Sequence, residues 1–189
     1  MKIEKIEDAI VVLEKRVPDA FCDIIIKYVN HINEFERKGT MGDTEKRKLD
    51  KRNVVGYSFN NNKITDRIFY QHLNNVINTN YINYKFKFPQ IRTHKLKQAD
   101  ILKYEAGGKY DVHVDHGFQC ERTLSVILNL NEDYEGGDFV FFYQDGKTEM
   151  KRVSCKKGTV IMFPSTFLYP HAVEPITKGV RYSIVSWLL

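Results

Sequence analysis

No apolar run in the sequence approaches the ~20 residues that a membrane-spanning helix needs, and the start, Met1-Lys2-Ile3-Glu4-Lys5, has no hydrophobic signal region. Both absences lead to the expectation of a cytoplasmic chain with no membrane partner. Cysteine is scarce as well. Cys22, Cys120 and Cys155 are odd in number and form no CxxC pair, which argues against a disulfide framework and for a reduced compartment. No internal repeat and no linker divides the chain, so residues 1–189 are expected to form one domain. Such a length buries roughly 70% of the unfolded chain's surface. Neither sign of charge dominates: a formal +5 is compatible with an acidic partner and equally with simple solubility.

The residues that are present, 42% apolar and 13% aromatic, are those of a globular protein. Ile10 to Val17 reads as a first strand. Asp19 then stands where it can cap a helix whose apolar positions, Phe21, Ile24, Ile25, Tyr28, Val29, Ile32 and Phe35, recur at spacings of three and four. The charged stretch Glu36 to Arg52 reads as a solvated loop, with a lid over a substrate as the sharper alternative. Thr65 is placed to cap a second helix with Ile68, Phe69, Leu73, Val76 and Ile77 inward, fading at Asn78-Thr79-Asn80. Tyr81 to Phe88 alternates and is predicted as a half-exposed strand. Short strands separated by glycine turns follow to the end of the chain. The fold class expected is α+β, mainly β: a jelly roll with the N-terminal helices packed outside one sheet.

The chemistry centres on Tyr110-Asp111-Val112-His113-Val114-Asp115-His116. In an extended strand Tyr110, Val112 and Val114 face one side, while His113 and Asp115 stand together on the other. A histidine and a carboxylate two residues apart can reach one metal ion only on extended backbone. They make two-thirds of a 2-His-1-carboxylate site. His171, after the strand Thr159–Phe163, is the candidate third ligand. Ten residues beyond it, Arg181 lies among Ile184, Val185 and Trp187 on an apolar strand. A guanidinium there must be paired, and a carboxylate is the group it matches best; Ser183 points to the same face. His31, His72 and His94 read as packing or surface residues, and His116 as facing away from the other two ligands.

These residues, with Tyr104-Glu105-Ala106-Gly107-Gly108, Arg122-Thr123-Leu124-Ser125, Glu135-Gly136-Gly137-Asp138 and Lys157-Gly158-Thr159, carry a resemblance. The sequence from 98 to 189 is similar to the prolyl 4-hydroxylase-type 2-oxoglutarate/Fe(II) dioxygenases, in particular their short bacterial and phage members. The resemblance implies a jelly-roll catalytic core over 98–189 supported by 1–97, and an Fe(II) held by His113, Asp115 and His171. It implies 2-oxoglutarate bound through Arg181, with Tyr104, Ser183, Asn129, Val173 and Trp187 around it, and Arg122 and Tyr110 toward the substrate. Asn129 stands where some animal relatives place a cosubstrate-binding tyrosine. The implied reaction hydroxylates an aliphatic C–H bond of a protein or peptide, most naturally a prolyl residue, using O₂ and releasing succinate and CO₂, with ascorbate in support. The carboxylate Asp115 argues for hydroxylation over halogenation. Two alternatives stay open: a dioxygenase acting on nucleic acid, and a non-catalytic metal-binding module. The nucleobase demethylases carry a second arginine six residues after the first, where this chain has Trp187.

Overall fold

The computed structural model describes residues 5–37, 51–93, 95–117 and 121–189. Most of the charged stretch (38–50), His94 and Cys120 lie outside them, so the lid expectation and those two residues have no structural account here. After a single 3₁₀ turn (Ile6–Ala9), the elements begin with β1 (Val11–Leu13), α1 (Asp19–Ile32), β2 (Glu36–Arg37), β3 (Arg52–Asn53), β4 (Val55–Ser58) and α2 (Ile64–Lys87). The strand-rich half contains β5 (Leu96–Tyr104), β6 (Lys109–His113), β7 (Leu124–Asn129), β8 (Glu135–Gly136) and β9 (Phe139–Phe142). It closes with β10 (Glu149–Val153), β11 (Val160–Pro164), β12 (His171–Val173), β13 (Ile176–Lys178) and β14 (Arg181–Leu188).

Among the described residues these strands form two main antiparallel sheets. The major sheet has the order β1-β11-β7-β14-β5-β4-β2 and the minor sheet β10-β9-β12-β6-β3, with β13 and β8 paired separately. Parity explains how they stack. Along β7, Leu124, Val126 and Leu128 belong to one buried cluster and Ile127 to the other; along β14, Ile184 and Leu188 oppose Val185 and Trp187. The first cluster joins the outer face of the major sheet to Phe21, Ile25 and Val29 of α1 and Leu73, Ile77 and Tyr84 of α2. The second joins its inner face to Phe139, Phe141 and Val173 of the minor sheet. Strands buried on both faces need no polar alternation, which is why Val126–Leu128 of β7 and Ile184–Val185 of β14 place apolar residues side by side. The architecture is the expected mainly β double-sheet fold, with α1 and α2, among the described residues, against the outer face of one sheet.

Several local expectations are corrected. α2 does not fade at Asn78-Thr79-Asn80 but runs through Tyr81–Lys87, where a strand was expected. Thr79 Oγ1 and Asn80 Nδ2 donate to the carbonyls of Asn75 and Val76 at 2.9 and 2.8 Å, so both donors find acceptors on the helix itself. Leu73, Ile77, Asn80 and Tyr84 are buried at spacings of four, three and four, whereas Phe86 is 92% exposed. Of the aromatic alternation at 84, 86 and 88, Tyr84 and Phe88 pack inward four residues apart, ring centroids 4.7 Å apart, and Phe86 does not. The helix caps also differ. Pro18 and Lys63 precede the first turns, leaving Asp19 and Thr65 inside the helices, and Ile24 and Ile68 face solvent. The first strand is shorter than the Ile10–Val17 stretch.

The N-terminal elements are tied together by one buried carboxylate. Asp66 accepts from Tyr28 of α1 at 2.6 Å, Tyr57 of β4 at 2.5 Å and the Asn60 backbone at 2.7 Å. That knot fixes β4 on the edge of β5, while β3 pairs with β6. His72 packs against Phe21, ring centroids 4.4 Å apart. No described helix is long and apolar enough to cross a membrane. Truncating Tyr84→Ala should destabilise the protein by about 2–5 kcal/mol in chemical denaturation, and Phe86→Ser by no more than ~0.5 kcal/mol. The reverse order would restore the strand reading of this segment.

Candidate metal and cosubstrate site

The site begins with a strand pairing. β12 lies antiparallel to β6 with His171 directly opposite His113, so two imidazoles from distant sequence meet on the inner face of the minor sheet. Two positions along β12, Val173 is opposite Tyr110. β6 thus carries one extra residue, a bulge that reverses parity beyond it. This corrects the expected placement of Tyr110 with Val112 and Val114. Its ring instead stacks on that of His113, centroids 3.5 Å apart and 18° from coplanar. On the other side His171 lies parallel to Phe139 at 5.2 Å and edge-on to Phe163 at 4.8 Å. Both imidazoles are wedged in place before any ligand arrives.

Asp115 follows the end of β6 and completes the group. Its Oδ1 is 3.7 Å from His113 Nε2 and its Oδ2 is 3.6 Å from His171 Nε2. One ligand atom from each residue lies within 4.8 Å of the others. His113 Nδ1 faces the Asp111 carbonyl at 2.9 Å and His171 Nδ1 the Tyr169 carbonyl at 3.0 Å. A carbonyl only accepts, so both Nδ1 atoms carry the proton and both Nε2 lone pairs turn inward. Two neutral nitrogens and one carboxylate converging this way fit a divalent ion of the non-haem iron type.

Arg181 opens β14, and the strand ladder places it opposite Tyr104 of β5. It is 1% exposed. Nη1 donates to Ser183 Oγ at 3.0 Å, while Nε and Nη2 are buried with no hydrogen-bond partner. An arginine with two unsatisfied buried donors is costly, and a carboxylate-bearing ligand removes that cost. Gly137 leaves room for its stem: a Cβ there would stand 2.2 Å from Ile176 Cδ1 and 3.3 Å from Arg181 Cδ, at a φ of +68°. Arg181, Ser183, Tyr104, Val173 and Trp187 line the same cavity of about 230 Å³ as the three ligand residues.

Arg122 and Tyr110 also line this cavity. The Arg122 guanidinium lies 3.5 Å from the centroid of the Trp187 ring and donates to the Asp115 backbone carbonyl at 3.2 Å. Asn129 is placed elsewhere. Its amide nitrogen donates to the carbonyls of Asn131 at 2.5 Å and Cys155 at 3.0 Å, and it does not line the cavity. The expected cosubstrate contact is corrected accordingly: the short side chain is spent on backbone. His116 turns away, its Nδ1 against the Arg122 carbonyl at 3.0 Å.

Sequence reading missed Ser125, Arg52, Gln98, Asp100 and Phe139. Ser125 had a signal, being polar in an apolar strand at the parity of inward-facing Ile127. Gln98 and Asp100 share the parity of Leu102 and Tyr104. Arg52, which reaches Tyr110 at 4.3 Å, had none, because two-residue β3 lies at the end of a charge-dense stretch.

Burial, with His171 alongside, pushes the His113 imidazole down to about 3 from 6.5. Burial alone would raise Asp115, but the two imidazoles and the Ser125 hydroxyl outweigh it and hold the carboxyl below its ordinary range. The unfolded chain therefore binds more protons than the folded, metal-free protein as pH falls below 6.5. Stability from His113 is complete above that value and lost toward 3. Thermal melts in chelator should drop between about pH 7.5 and about pH 5, and the drop should shrink in His113→Gln. An equal drop in the variant would assign it to other groups.

The sequence model of the 2OG-Fe(II) oxygenase superfamily matches residues 99–189. A PKHD-type hydroxylase of Gloeothece citriformis is 31% identical over 104 residues, covering 52% of this chain and 45% of the relative. The chain thus spans less than half the length of the curated relatives it matches first. Among solved structures, a Trichoplax adhaerens prolyl hydroxylase in complex with a hypoxia inducible factor oxygen degradation domain peptide fragment superposes with a TM-score of 0.77 at 14% identity, covering 96% of this chain and 83% of that one. A Pseudomonas putida prolyl-4-hydroxylase gives 0.72 at 17% identity, covering 95% and 91%. These likenesses show a shared double-stranded β-helix fold. The sequence likeness to the 2OG-Fe(II) oxygenase superfamily thus lies in residues 99–189, the strand-rich half that carries His113, Asp115, His171 and Arg181.

Proposed function

We propose that the chain is a 2-oxoglutarate- and Fe(II)-dependent dioxygenase that hydroxylates a prolyl residue of a protein or peptide. The observation that carries the reading is one cavity holding both His113, Asp115 and His171 and the half-satisfied guanidinium of Arg181. In this reading 1–189 act as one unit, with 98–189 as its catalytic core. Fe(II) with 2-oxoglutarate supplies the activation of O₂ that hydroxylates a C–H bond and yields succinate and CO₂. The residues of the chain do the rest. His113, Asp115 and His171 would hold the ion through two imidazole nitrogens and a carboxylate oxygen. Arg181 takes the distal carboxylate of 2-oxoglutarate through Nε and Nη2, with Ser183 holding Nη1 and Tyr104 as the opposite wall. Leu102, Ile127 and Val185 keep water from that chamber. Arg122 and Tyr110, beside the metal ligands, face the entering substrate. The peptide in the Trichoplax neighbour and the hydroxylase relatives support a protein or peptide substrate.

Purified protein supplied with Fe(II), ascorbate and 2-oxoglutarate should form succinate, and His113→Ala or His171→Ala should abolish it; normal turnover in either variant would sink the metal assignment. Arg181→Ala removes a charge-paired anchor of about 2–4 kcal/mol, so half-saturation by 2-oxoglutarate should rise roughly 30–700-fold. An unchanged requirement would remove Arg181 from the cosubstrate site. Proline-containing peptides should gain ~16 Da by mass spectrometry, the mass of one inserted oxygen atom. Modified oligonucleotides beside unmodified peptides would favour the nucleic-acid alternative.

A further inference from the structure

Asp115 differs from the two histidines in how its direction is set. His113 and His171 sit on paired strands, and their rings follow from the ladder and from stacking. Asp115 lies beyond the end of β6 and has no ladder partner. Its orientation rests on side-chain bonds that reach across to the other sheet. Ser125 of β7, fully buried, donates to Asp115 Oδ2 at 2.6 Å. Ser125 Oγ is also 2.8 Å from Ser165 Oγ. A hydroxyl has one proton, and that of Ser125 is given to the carboxylate, so Ser165 is the donor in the second bond. The chain Ser165→Ser125→Asp115 is unidirectional, and each bond polarises the next. Ser165 is itself anchored, its carbonyl accepting from His116 N at 2.9 Å and its amide donating to the Thr123 carbonyl at 3.1 Å. On the far side, the Arg122 Nη1 cation lies 3.8 Å from Oδ1, the oxygen that also stands 3.7 Å from His113 Nε2.

We infer that Ser125, backed by Ser165, is a positioning residue that holds Asp115 Oδ2 and so keeps the carboxylate turned toward His113 and His171. The inference rests on His113, Asp115 and His171 being the metal ligands. A structural role alone would not need two buried hydroxyls in series ending on a ligand. An apolar pair would pack this interior without polar atoms to satisfy.

The test is Mn(II) binding to the full-length, metal-free chain, followed by the electron-paramagnetic signal of the free ion, with no substrate and no turnover. Ser125→Ala should weaken Mn(II) binding about 10–100-fold, the range for lost partners of metal ligands. Ser125→Thr, which keeps the hydroxyl, should restore most of it. Ser165→Ala should weaken binding less than Ser125→Ala, because Ser125 can still donate. Melting temperatures of the metal-free variants should stay close to that of the parent. Parental Mn(II) affinity in Ser125→Ala would overturn the inference; so would a larger loss in Ser165→Ala than in Ser125→Ala, or losses that track melting temperature. Failure of the parent itself to bind Mn(II), with His171→Ala indistinguishable from it, would instead overturn the metal site on which the inference rests.

Discussion

The pairing of β12 with β6 is the constraint on which the site depends. Set His171 one residue out of register and its ring passes to the outer face of the minor sheet, because strand side chains alternate. The bulge adds a second consequence, turning Tyr110 inward to stack on His113 while leaving Val112 outside. A three-residue strand can hold this register because β12 is flanked on both sides, by β6 and by β9, where Phe141 and Phe139 pair with His171 and Val173. The imidazoles are thus packed into a cluster of aromatic rings, which limits their freedom before a ligand binds.

The second constraint is the spacing of the two sheets. The histidines come from the minor sheet, Arg181 and Ser125 from the major sheet, and Asp115 bridges between them. The cavity is therefore a gap in the sandwich. The opposite face of the major sheet is covered by α1 and α2, whose apolar stripes bury Leu124, Val126 and Leu128. The helices back the sheet from which Arg181, Ser183 and Trp187 project. The Asp66 knot brings β4 to the edge of the same sheet, which places Ser58 against Asp100 in the cavity wall.

Two buried polar groups, Asp66 and Arg181, differ in how they are satisfied. Asp66 is as buried as Arg181, yet Asp66 accepts three hydrogen bonds while two nitrogens of Arg181 have none. In the proposed function the first is a structural group and the second a binding group. Total burial does not separate them; hydrogen bonding does.

The sequence by itself determined the donor set and the fold class. His113 and Asp115 two apart on a strand, His171 after a later strand and Arg181 on an apolar one are readable because the side-chain period of a strand is two and a buried charge demands a partner. What only the tertiary structure decided were features that leave no local trace. The bulge that turned Tyr110 inward is a matter of pairing between strands far apart in sequence. The helical continuation over Tyr81–Lys87 depended on which of Tyr84 and Phe86 found a core to enter. The occupation of Asn129 by the carbonyls of Asn131 and Cys155, and the bond from Ser125 to Asp115, arise where chain segments meet, and a single residue's chemistry does not name the neighbour it will be given.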